Sequence, residues 1–260
     1  MKYRFRSFPA ILLLTLAFTM LISNTGLISS VFEQTKQTKE ELSNITSIIK
    51  KANSEPQKVD SDIEIPDYSG EAFIEINDNV PMFSSLDIAN AYENDEYISY
   101  IKLSELDELG RAQTAMMSAG PETLADEERG SIGMIKPSGW KQARYDDLIE
   151  DKYLYNRCHL LAHNLSEFNA EERNLITGTR QMNIGAMLDY EIKVAEYIKN
   201  TQNHVLYRVT PIYEGNNLLA KGVLMEGLSL EESGLEFCVF VYNVQDGIDI
   251  DYATGDSWRK

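Results

Sequence analysis

The chain has 260 residues, 43% of them hydrophobic, so it is long enough and apolar enough to bury a substantial core. Its formal net charge of −17 excludes a protein that coats nucleic acid over its whole surface, because phosphate contacts need Lys and Arg. With only two cysteines, the fold does not depend on a disulfide framework; Cys158 and Cys238 are predicted to be buried thiols, with one bridge as the alternative.

The first thirty residues have the features of an export signal. Three basic residues within the first six positions precede an apolar run from Ile11 to Ile22, and no acidic residue occurs before Glu33. No clear Ala-x-Ala cleavage site follows the run, and an uncleaved segment of this length would just span a bilayer. The sequence predicts a signal peptide or a membrane anchor over residues 1–30 and leaves free secretion and anchoring open.

A polar stretch over residues 31–64 is predicted to be a linker or stalk. Helical spacing from Glu40 to Lys51 leaves a helix packed on the following domain as the alternative. The domain itself is predicted over residues 65–260. Its first strand is predicted at Ala72 to Asn77, where polar and apolar residues alternate ahead of turn residues.

Two further strands are predicted at Tyr97 to Ile101 and at Ile132 to Ile135. Glycines, a proline and an acidic patch separate them and indicate a long connection. Lys136 to Trp140 has the composition of a turn that leads into a short strand ending near Tyr145. Together these segments predict a hairpin before the histidine-containing stretch.

Two of the three histidines, His159 and His163, lie four residues apart and follow Arg157 and Cys158. Because histidine titrates near neutral pH, His159 is a candidate general base. A purely structural histidine is one alternative. The spacing of the two histidines also suits zinc, although the glutamate of a metalloprotease motif is missing, and Cys158 is a candidate nucleophile although sequence neighbours rarely face each other. His204 is predicted at a helix-to-strand junction without a chemical role.

A helix is predicted from about Gln181 to Lys199. Its predicted buried face consists of Ile184, Met187, Leu188, Val194, Ala195 and Ile198. Glu191 falls on the same face, where a carboxylate has to be paired, hydrogen-bonded or close to a cation. Since Arg180, Asn183 and Glu191 are offset by three and eight residues, one stripe of a continuous helix would carry all three.

Three alternating runs follow the helix, at Val205 to Tyr213, Leu218 to Leu228 and Glu236 to Asn243. Turn-forming residues separate them. This pattern predicts an antiparallel meander.

These residue types predict metal-assisted cleavage of a phosphodiester. Such a reaction needs a base for the attacking water, a cation that neutralises charge in the transition state, and help for the leaving oxygen. His159 is the predicted base, and Asn183 offers a neutral oxygen to a hard ion such as magnesium. Glu191 and Asn174 are predicted to orient metal-bound waters.

Arg157 or Arg180 is predicted to hold the scissile phosphate. Residues 129–221 contain twelve Lys and Arg against eleven Asp and Glu, a net of +1, so the remainder carries −18 and the total is −17. The excess acid is therefore kept away from the candidate site. This distribution suits a protein that touches a few phosphates and releases them.

Several separated stretches resemble the bacterial DNA/RNA non-specific endonucleases of the ββα-metal class, especially the secreted and membrane-attached DNases of Gram-positive bacteria. They are Tyr155 to Leu160, Asn174 to Arg180, Met182 to Asn183, Asn203 to Pro211 and Asp251 to Ser257. The resemblance covers roughly residues 65–257. It implies an α+β fold with a mixed, mostly antiparallel sheet and a ββα-metal (His-Me finger) catalytic motif.

The resemblance also implies a role for each matching residue. His159 matches the general base, and Asn183 matches the asparagine that binds a single hydrated Mg²⁺, with Mn²⁺ as an alternative metal. Glu191 matches a glutamate that hydrogen-bonds the waters of the metal, and Asn174 an asparagine that supports the site. Arg157 matches the arginine of the family's Asp-Arg-Gly-His motif.

Two positions depart from that motif. Asn156 replaces the aspartate and removes a negative charge near His159, while Cys158 replaces the glycine and adds a side chain where the backbone passes close to substrate. The base and the metal ligand are unchanged, so activity is expected to survive.

The expected function is that of an exported, magnesium-dependent endonuclease that cleaves DNA, and RNA as a second candidate substrate, with little sequence specificity and 5′-phosphate products. Contacts are expected with the phosphate backbone, and with a membrane only through the N-terminal segment. No obligate protein partner is expected, and the protein is placed outside the cell, secreted or anchored to the outer face of the membrane. The alternative is a non-catalytic exported surface or binding protein that retains the fold.

Overall fold

The structure, a computed structural model, describes residues 63–260 except residues 127 and 129. The predicted leader over residues 1–30 and nearly all of the predicted linker over residues 31–64 lie outside the described residues. Within the part of the chain that is described, no helix is long and apolar enough to cross a membrane.

The described chain begins with short strands and one helix. In chain order they are β1 (Phe73–Glu75), α1 (Ser85–Asn90), β2 (Tyr92–Glu93), β3 (Glu96–Tyr97), β4 (Tyr100–Leu103) and β5 (Ala115–Ala119), with 3-10 turns at Asn77–Asn79 and Pro121–Thr123. A capping box fixes the start of α1, because Ser84 Oγ accepts from the backbone N of Asp87 at 3.1 Å and Asp87 Oδ2 accepts from the backbone N of Ser84 at 2.9 Å.

The elements after residue 150 include the long strands and the histidine stretch. They are β6 (Tyr155–His159), α2 (His163–Ser166), β7 (Leu175–Thr179), α3 (Arg180–Ile184), α4 (Ala186–Thr201), β8 (Val205–Ile212), β9 (Gly222–Ser229), β10 (Glu236–Tyr242), β11 (Ile248–Ile250) and β12 (Ser257–Arg259). A 3-10 turn at Glu172–Asn174 precedes β7. The histidine stretch forms strand β6, in keeping with the ββα motif that the resemblance implies.

Six strands form the main sheet in the order β1-β10-β9-β8-β5-β4, and each neighbouring pair in it is antiparallel. Strands β8, β9 and β10 are consecutive, which confirms the predicted meander. The second of these strands begins at Gly222, four residues after the predicted start at Leu218. The α+β fold with a mostly antiparallel sheet is thereby confirmed.

The main sheet has an apolar cluster on each face, as β10 shows. Phe237 and Val239 belong to the large core that α4 covers, whereas Cys238 and Phe240 belong to a cluster on the other face. Successive side chains of a strand point to opposite faces, which explains this division. Because Cys158 lies in the first core, the fold separates the two thiols and no disulfide joins them, as predicted.

The region before the histidine stretch differs from its prediction. The predicted strand at Tyr97 to Ile101 is divided, since β3 ends at Tyr97 and β4 begins at Tyr100. The segment from Ile132 to Ile135 contains a turn where a strand was predicted. The predicted hairpin is reduced to an isolated antiparallel bridge between Arg144 and Tyr153, because the intervening residues are irregular.

The sequence does not predict the inner strand β5, which lies between β8 and β4. All five residues of Ala115–Ala119 are buried, so the segment has no alternation of polar and apolar residues that would reveal a strand. Small and unbranched side chains also dominate it, and these are weak strand formers.

The long predicted helix is in fact two helices, α3 and α4, that meet at Gly185. A Cβ on Gly185 would lie 2.6 Å from the carbonyl oxygen of Gln181, so a larger residue does not fit this junction without a shift. Arg180 and Asn183 lie on α3, whereas Glu191 lies on α4. The prediction of one continuous stripe carrying all three residues is wrong.

The break also changes which apolar residues are buried. Met187, Val194 and Ile198 lie in the core as predicted, but Ile184 is 41% exposed and Leu188 is 38% exposed. Both exposed residues belonged to the predicted buried face, because that prediction treated residues 181–199 as one continuous helix.

Candidate active site

Strands β6 and β7 form an antiparallel pair that carries the histidine stretch. Because side chains alternate along a strand, Arg157 and His159 project from one face of β6 and Cys158 from the other. Cys158 is fully buried, and a Cβ at Gly178 would lie only 2.3 Å from its Sγ. The side chain that departs from the family motif therefore packs in the core.

The ring of His159 is oriented by a main-chain oxygen. Its Nε2 lies 3.0 Å from the carbonyl oxygen of Asn169, and the residue is only 6% exposed. A carbonyl oxygen can only accept, so Nε2 carries the proton and donates it. When the ring is neutral, Nδ1 is the unprotonated nitrogen and hence the atom able to accept a proton.

Asn174 braces the chain that follows His159. Its Oδ1 accepts from the backbone N of Leu161 at 2.9 Å, and its Nδ2 donates to the carbonyl oxygen of Leu161 at 2.9 Å. The side chain is fully buried. This contact favours the supporting role predicted for Asn174 over the predicted orientation of metal-bound waters.

A surface cleft of about 370 Å³ brings together three of the predicted site residues, Arg157, Arg180 and Asn183. Its other lining residues are Ile132, Trp140, Gln142, Asp151, Tyr153, Tyr155 and Asn156. Since Arg180 and Asn183 are three residues apart on α3, they share one face of that helix. His159 lies two residues beyond Arg157 on β6 and is not one of the lining residues.

The Arg157 guanidinium is held against the loop before β6. Its Nη2 donates to the carbonyl oxygen of Gly133 at 2.9 Å, and its Nε donates to the carbonyl oxygen of Ile135. The guanidinium carbon also lies 4.1 Å from the centre of the Trp140 ring, in a cation–π contact. These contacts fix the direction in which the positive charge faces the cleft.

Arg180 is paired with an acid in the same cleft. One guanidinium nitrogen, Nη2, forms an ion pair with Asp151. The backbone N of Arg180 donates to the carbonyl oxygen of Leu154 at 2.7 Å, which joins the start of α3 to the residue just before β6, the strand that carries His159.

The start of α3 is anchored to the end of β10. Thr179 caps the helix, because its Oγ1 accepts from the backbone N of Met182 at 3.1 Å and donates to the carbonyl oxygen of Val244 at 2.7 Å. The backbone N of Thr179 donates to Oδ1 of the buried Asn243 at 2.8 Å. These bonds fix the direction of α3 relative to the main sheet.

Glu191 is half-buried on α4 and does not line the cleft. Burial raises the pKa of the Tyr207 hydroxyl, and the negative charge of Glu191 adds to this effect. The carboxylate therefore lies close to strand β8. Its predicted hydrogen bonds to metal-bound waters stay a prediction.

The donor atoms of the cleft suit a hard, hydrated metal ion. Among the described residues, no group of three or more His, Cys, Asp and Glu side chains is arranged to hold a metal. The cleft instead offers the amide oxygens of Asn183 and Asn156, which are neutral, hard ligands. Such ligands fit a Mg²⁺ that keeps most of its own waters.

The two other histidines lie on different elements from His159. His163 is the first residue of α2 and is half-buried. His204 lies between the end of α4 and the start of β8, as predicted, and its two ring nitrogens contact Glu231 at 2.5 Å and Glu122 at 3.2 Å. Burial lowers the pKa of His204, but the hydrogen bonds to both carboxylates outweigh burial and raise it above 6.5.

Four residues of the site are missed by reasoning from the sequence: Trp140, Asp151, Asn169 and Asn243. Asn169 acts through its backbone carbonyl, which no side-chain pattern reveals. Trp140, Asp151 and Asn243 come close to the site only because the chain folds in this way. The sequence around each of them does not indicate that the residue lies there.

The fold and the cleft together define the class of protein: an α+β protein of the ββα-metal class, with a histidine strand and an asparagine helix placed side by side. A family model described as DNA/RNA non-specific endonuclease matches residues 90–229, more than half of the chain. The chain belongs to this family.

Individual relatives agree with this assignment. A curated protein named deoxyribonuclease, from Streptococcus dysgalactiae subsp. equisimilis, is 36% identical over 110 residues, which are 40% of this chain and 33% of the relative. The chain thus matches about a third of the length of that relative.

Two solved structures share the fold. NucA from Streptococcus agalactiae with a magnesium ion bound superposes with a TM-score of 0.62 at 24% identity, over 73% of this chain and 87% of NucA. The Sda1 nuclease with a bound zinc ion superposes with a TM-score of 0.59 at 24% identity, over 73% of this chain and 96% of Sda1.

Proposed function

We propose that this protein is an exported, magnesium-dependent endonuclease that hydrolyses DNA phosphodiester bonds with little sequence specificity. The observation that carries the proposal is the meeting of Arg157, Arg180 and Asn183 around one cleft, beside the strand that bears His159. Family membership and the magnesium-bound state of NucA support it.

His159 acts as the general base in this proposal. Its Nε2–H is held by the Asn169 carbonyl oxygen, so Nδ1 accepts the proton of the attacking water. Burial of the residue and this hydrogen bond limit rotation of the ring. Asn174 contributes indirectly, because it holds the chain that follows His159 through Leu161.

The two arginines bind the phosphate that is cleaved. Arg157 is positioned by main-chain oxygens and by Trp140, and Arg180 by the start of α3. Both are planar donors suited to phosphate oxygens. Asn183 would hold Mg²⁺, and Glu191 is proposed to orient its waters. Bound there, the metal supplies positive charge for the transition state and the leaving 3′ oxygen, so products carry 5′ phosphates.

The substrate assignment to DNA draws on the relative named deoxyribonuclease. Contacts through arginines to phosphate oxygens carry no information about base sequence, which agrees with weak sequence preference. Export rests on the basic and apolar N-terminal residues of the sequence. RNA is a second candidate substrate for the same cleft, and Mn²⁺ a second metal.

A supercoiled-plasmid assay tests the proposal. Wild-type protein is expected to nick and then linearise plasmid with Mg²⁺ or Mn²⁺, and to leave it intact with EDTA. His159→Ala is expected to lose at least about 100-fold in rate, because general-base catalysis contributes about 10²- to 10⁴-fold. His163→Ala is the matched control and should cut at the wild-type rate, since His163 lies on α2 and has no part in the proposed mechanism.

Intact plasmid after incubation with wild-type protein and a series of divalent metals would overturn the proposal in favour of a non-catalytic binding protein. Equal loss in both histidine variants would show that His159 has only a structural role. The same assay on a labelled RNA hairpin determines whether RNA is also a substrate.

A further inference from the structure

One acidic side chain lies among the arginines and amides of the cleft. Asp151 lines it together with Arg157, Arg180 and Asn183, and its carboxylate is paired with Nη2 of Arg180. A carboxylate and a phosphate present similar paired oxygens to a guanidinium. The carboxylate of Asp151 thus occupies a position at Arg180 that the proposed function assigns to a substrate phosphate.

We propose that Asp151 is an internal competitor for phosphate: it holds Arg180 in the DNA-free protein and is displaced when substrate enters. The inference rests on the proposed function, because it concerns the same cleft and the same arginine. It assigns to Asp151 a role in setting the affinity for nucleic acid, without a part in the bond-breaking step.

The side chain of Arg180 can exchange the Asp151 carboxylate for a phosphate while its main chain stays in place. Its main chain is fixed, because its backbone N bonds to Leu154 and it begins the anchored helix α3. Its Nε is buried and has no hydrogen-bond partner among the described residues. A guanidinium has five N–H donors, so a phosphate with more acceptor oxygens than a carboxylate can use donors that Asp151 leaves unsatisfied.

Asp151 can leave without a change in the fold. The loop that carries it is fixed on both sides, since Lys152 N donates to Ile149 O at 2.8 Å and Tyr145 N donates to Lys152 O at 2.7 Å. The side chain of Asp151 is 55% exposed, so rotation into solvent breaks the ion pair with Arg180 alone. Ion pairs this exposed are weak, and phosphate can therefore displace the carboxylate.

The same loop provides a matched control. Asp147 also pairs with an arginine, Arg259, and its side chain is 62% exposed. Asp147→Asn removes the same charge from the same loop as Asp151→Asn, but it does not release Arg180. A comparison of the two variants separates the specific effect on Arg180 from the general effect of a less acidic surface.

The experiment measures binding of a fluorescein-labelled DNA duplex by anisotropy, in EDTA and at constant ionic strength. Asp151→Asn is expected to lower the Kd for DNA by about two- to fivefold. This is the change expected when a weak ion pair between Asp151 and Arg180 no longer competes with phosphate. Asp147→Asn is expected to have a smaller effect. In an Arg180→Gln background, Asp151→Asn should change Kd no more than Asp147→Asn does.

Three results overturn the inference: weaker binding by Asp151→Asn, an effect equal to that of Asp147→Asn, or an effect that persists without Arg180. Absence of any DNA binding by the wild type also overturns it. Thermal melting of each variant verifies folding. If the wild type cuts plasmid but the effect of Asp151→Asn on Kd does not depend on Arg180, only the role of Asp151 is refuted. If the effect depends on Arg180 but the wild type cuts no plasmid, only the proposed hydrolysis is refuted.

Discussion

Main-chain atoms hold two of the proposed site side chains. The carbonyl oxygen of Asn169 selects the tautomer of His159, and both backbone groups of Leu161 engage the amide of Asn174. The orientation of His159, the proposed base, therefore depends on the path of the backbone after β6. Sequence patterns identify His159 and Asn174 as site residues, but they do not show these main-chain partners.

Asn174→Ala is expected to destabilise the protein because it leaves the N–H and C=O of Leu161 without their partners. A buried polar group left unsatisfied costs about 1–3 kcal/mol, so the free energy of unfolding should fall by at least this amount. Urea denaturation monitored by circular dichroism measures it. Cleavage should also slow, with the Mg²⁺ concentration for half-maximal rate unchanged.

Asn164→Ala is the matched control, since Asn164 is exposed on the neighbouring helix α2. It should keep wild-type stability. If Asn174→Ala instead keeps its stability and requires much more Mg²⁺, then Asn174 orients the waters of the metal and does not act as a brace.

Elements with a strong alternation of side chains are predicted from the sequence, and those without it are not. The three strands of the meander fall where the pattern places them. Strand β5 is missed because its five residues are all buried. The break at Gly185 is missed because a single glycine within helical spacing does not by itself indicate a new helix axis.

Gly185→Ala is expected to impair metal binding more than stability. The added Cβ would lie 2.6 Å from the carbonyl oxygen of Gln181 and push α3, with Asn183, away from its present position. A displacement of about 1 Å near a reacting centre costs up to about 100-fold in rate. The Mg²⁺ dependence of plasmid cleavage should shift to higher concentration.

Gly227→Ala provides the comparison, because its Cβ would meet the Phe237 ring at 2.3 Å within the β9–β10 pair. Both variants introduce a clash, but only Gly185 joins the helix that carries the proposed metal ligand. Gly227→Ala should lose stability and keep the wild-type Mg²⁺ dependence. Equal shifts in both variants would show that the junction at Gly185 has no special role.

The cleft is assembled from parts of the chain that are distant in sequence. The long segment between β5 and β6 supplies both Trp140 and Asp151, and α3 supplies Arg180 and Asn183. The sequence identifies the two residues on α3 by type and spacing. It cannot identify the first two, because their proximity follows from packing of the whole domain.

His204 joins three separate parts of the molecule. Its ring nitrogens contact Glu231 in the β9–β10 connection and Glu122 after β5, and the ring fills the space beside Gly120, where a Cβ would lie 2.5 Å away. Burial raises the pKa of Glu122, but the hydrogen bonds that its carboxylate accepts from Ser99, from its own backbone and from His204 together outweigh burial and lower it below 4.5. The two shifts have opposite signs, as expected for an ion pair.

These shifts define the pH range in which the contact stabilises the fold. The raised pKa of His204 gives a contribution that is complete below 6.5 and is lost as pH rises through the folded value. The lowered pKa of Glu122 gives a contribution that is present above 4.5 and is lost as pH falls through its folded value. Both contributions are therefore present between pH 4.5 and pH 6.5, the ordinary pKa values of Glu122 and His204.

His204→Gln should lower the melting temperature most between these two pH values, and progressively less as pH rises above them, because wild-type protein loses the charged histidine there. Differential scanning calorimetry at about pH 5.5 and about pH 8.5 measures the difference. His163→Gln is the control, since His163 has no ion pair among the described residues, and its effect should not follow this trend. A His204→Gln difference that stays constant with pH would mean that the imidazole acts through packing against Gly120 and not through charge.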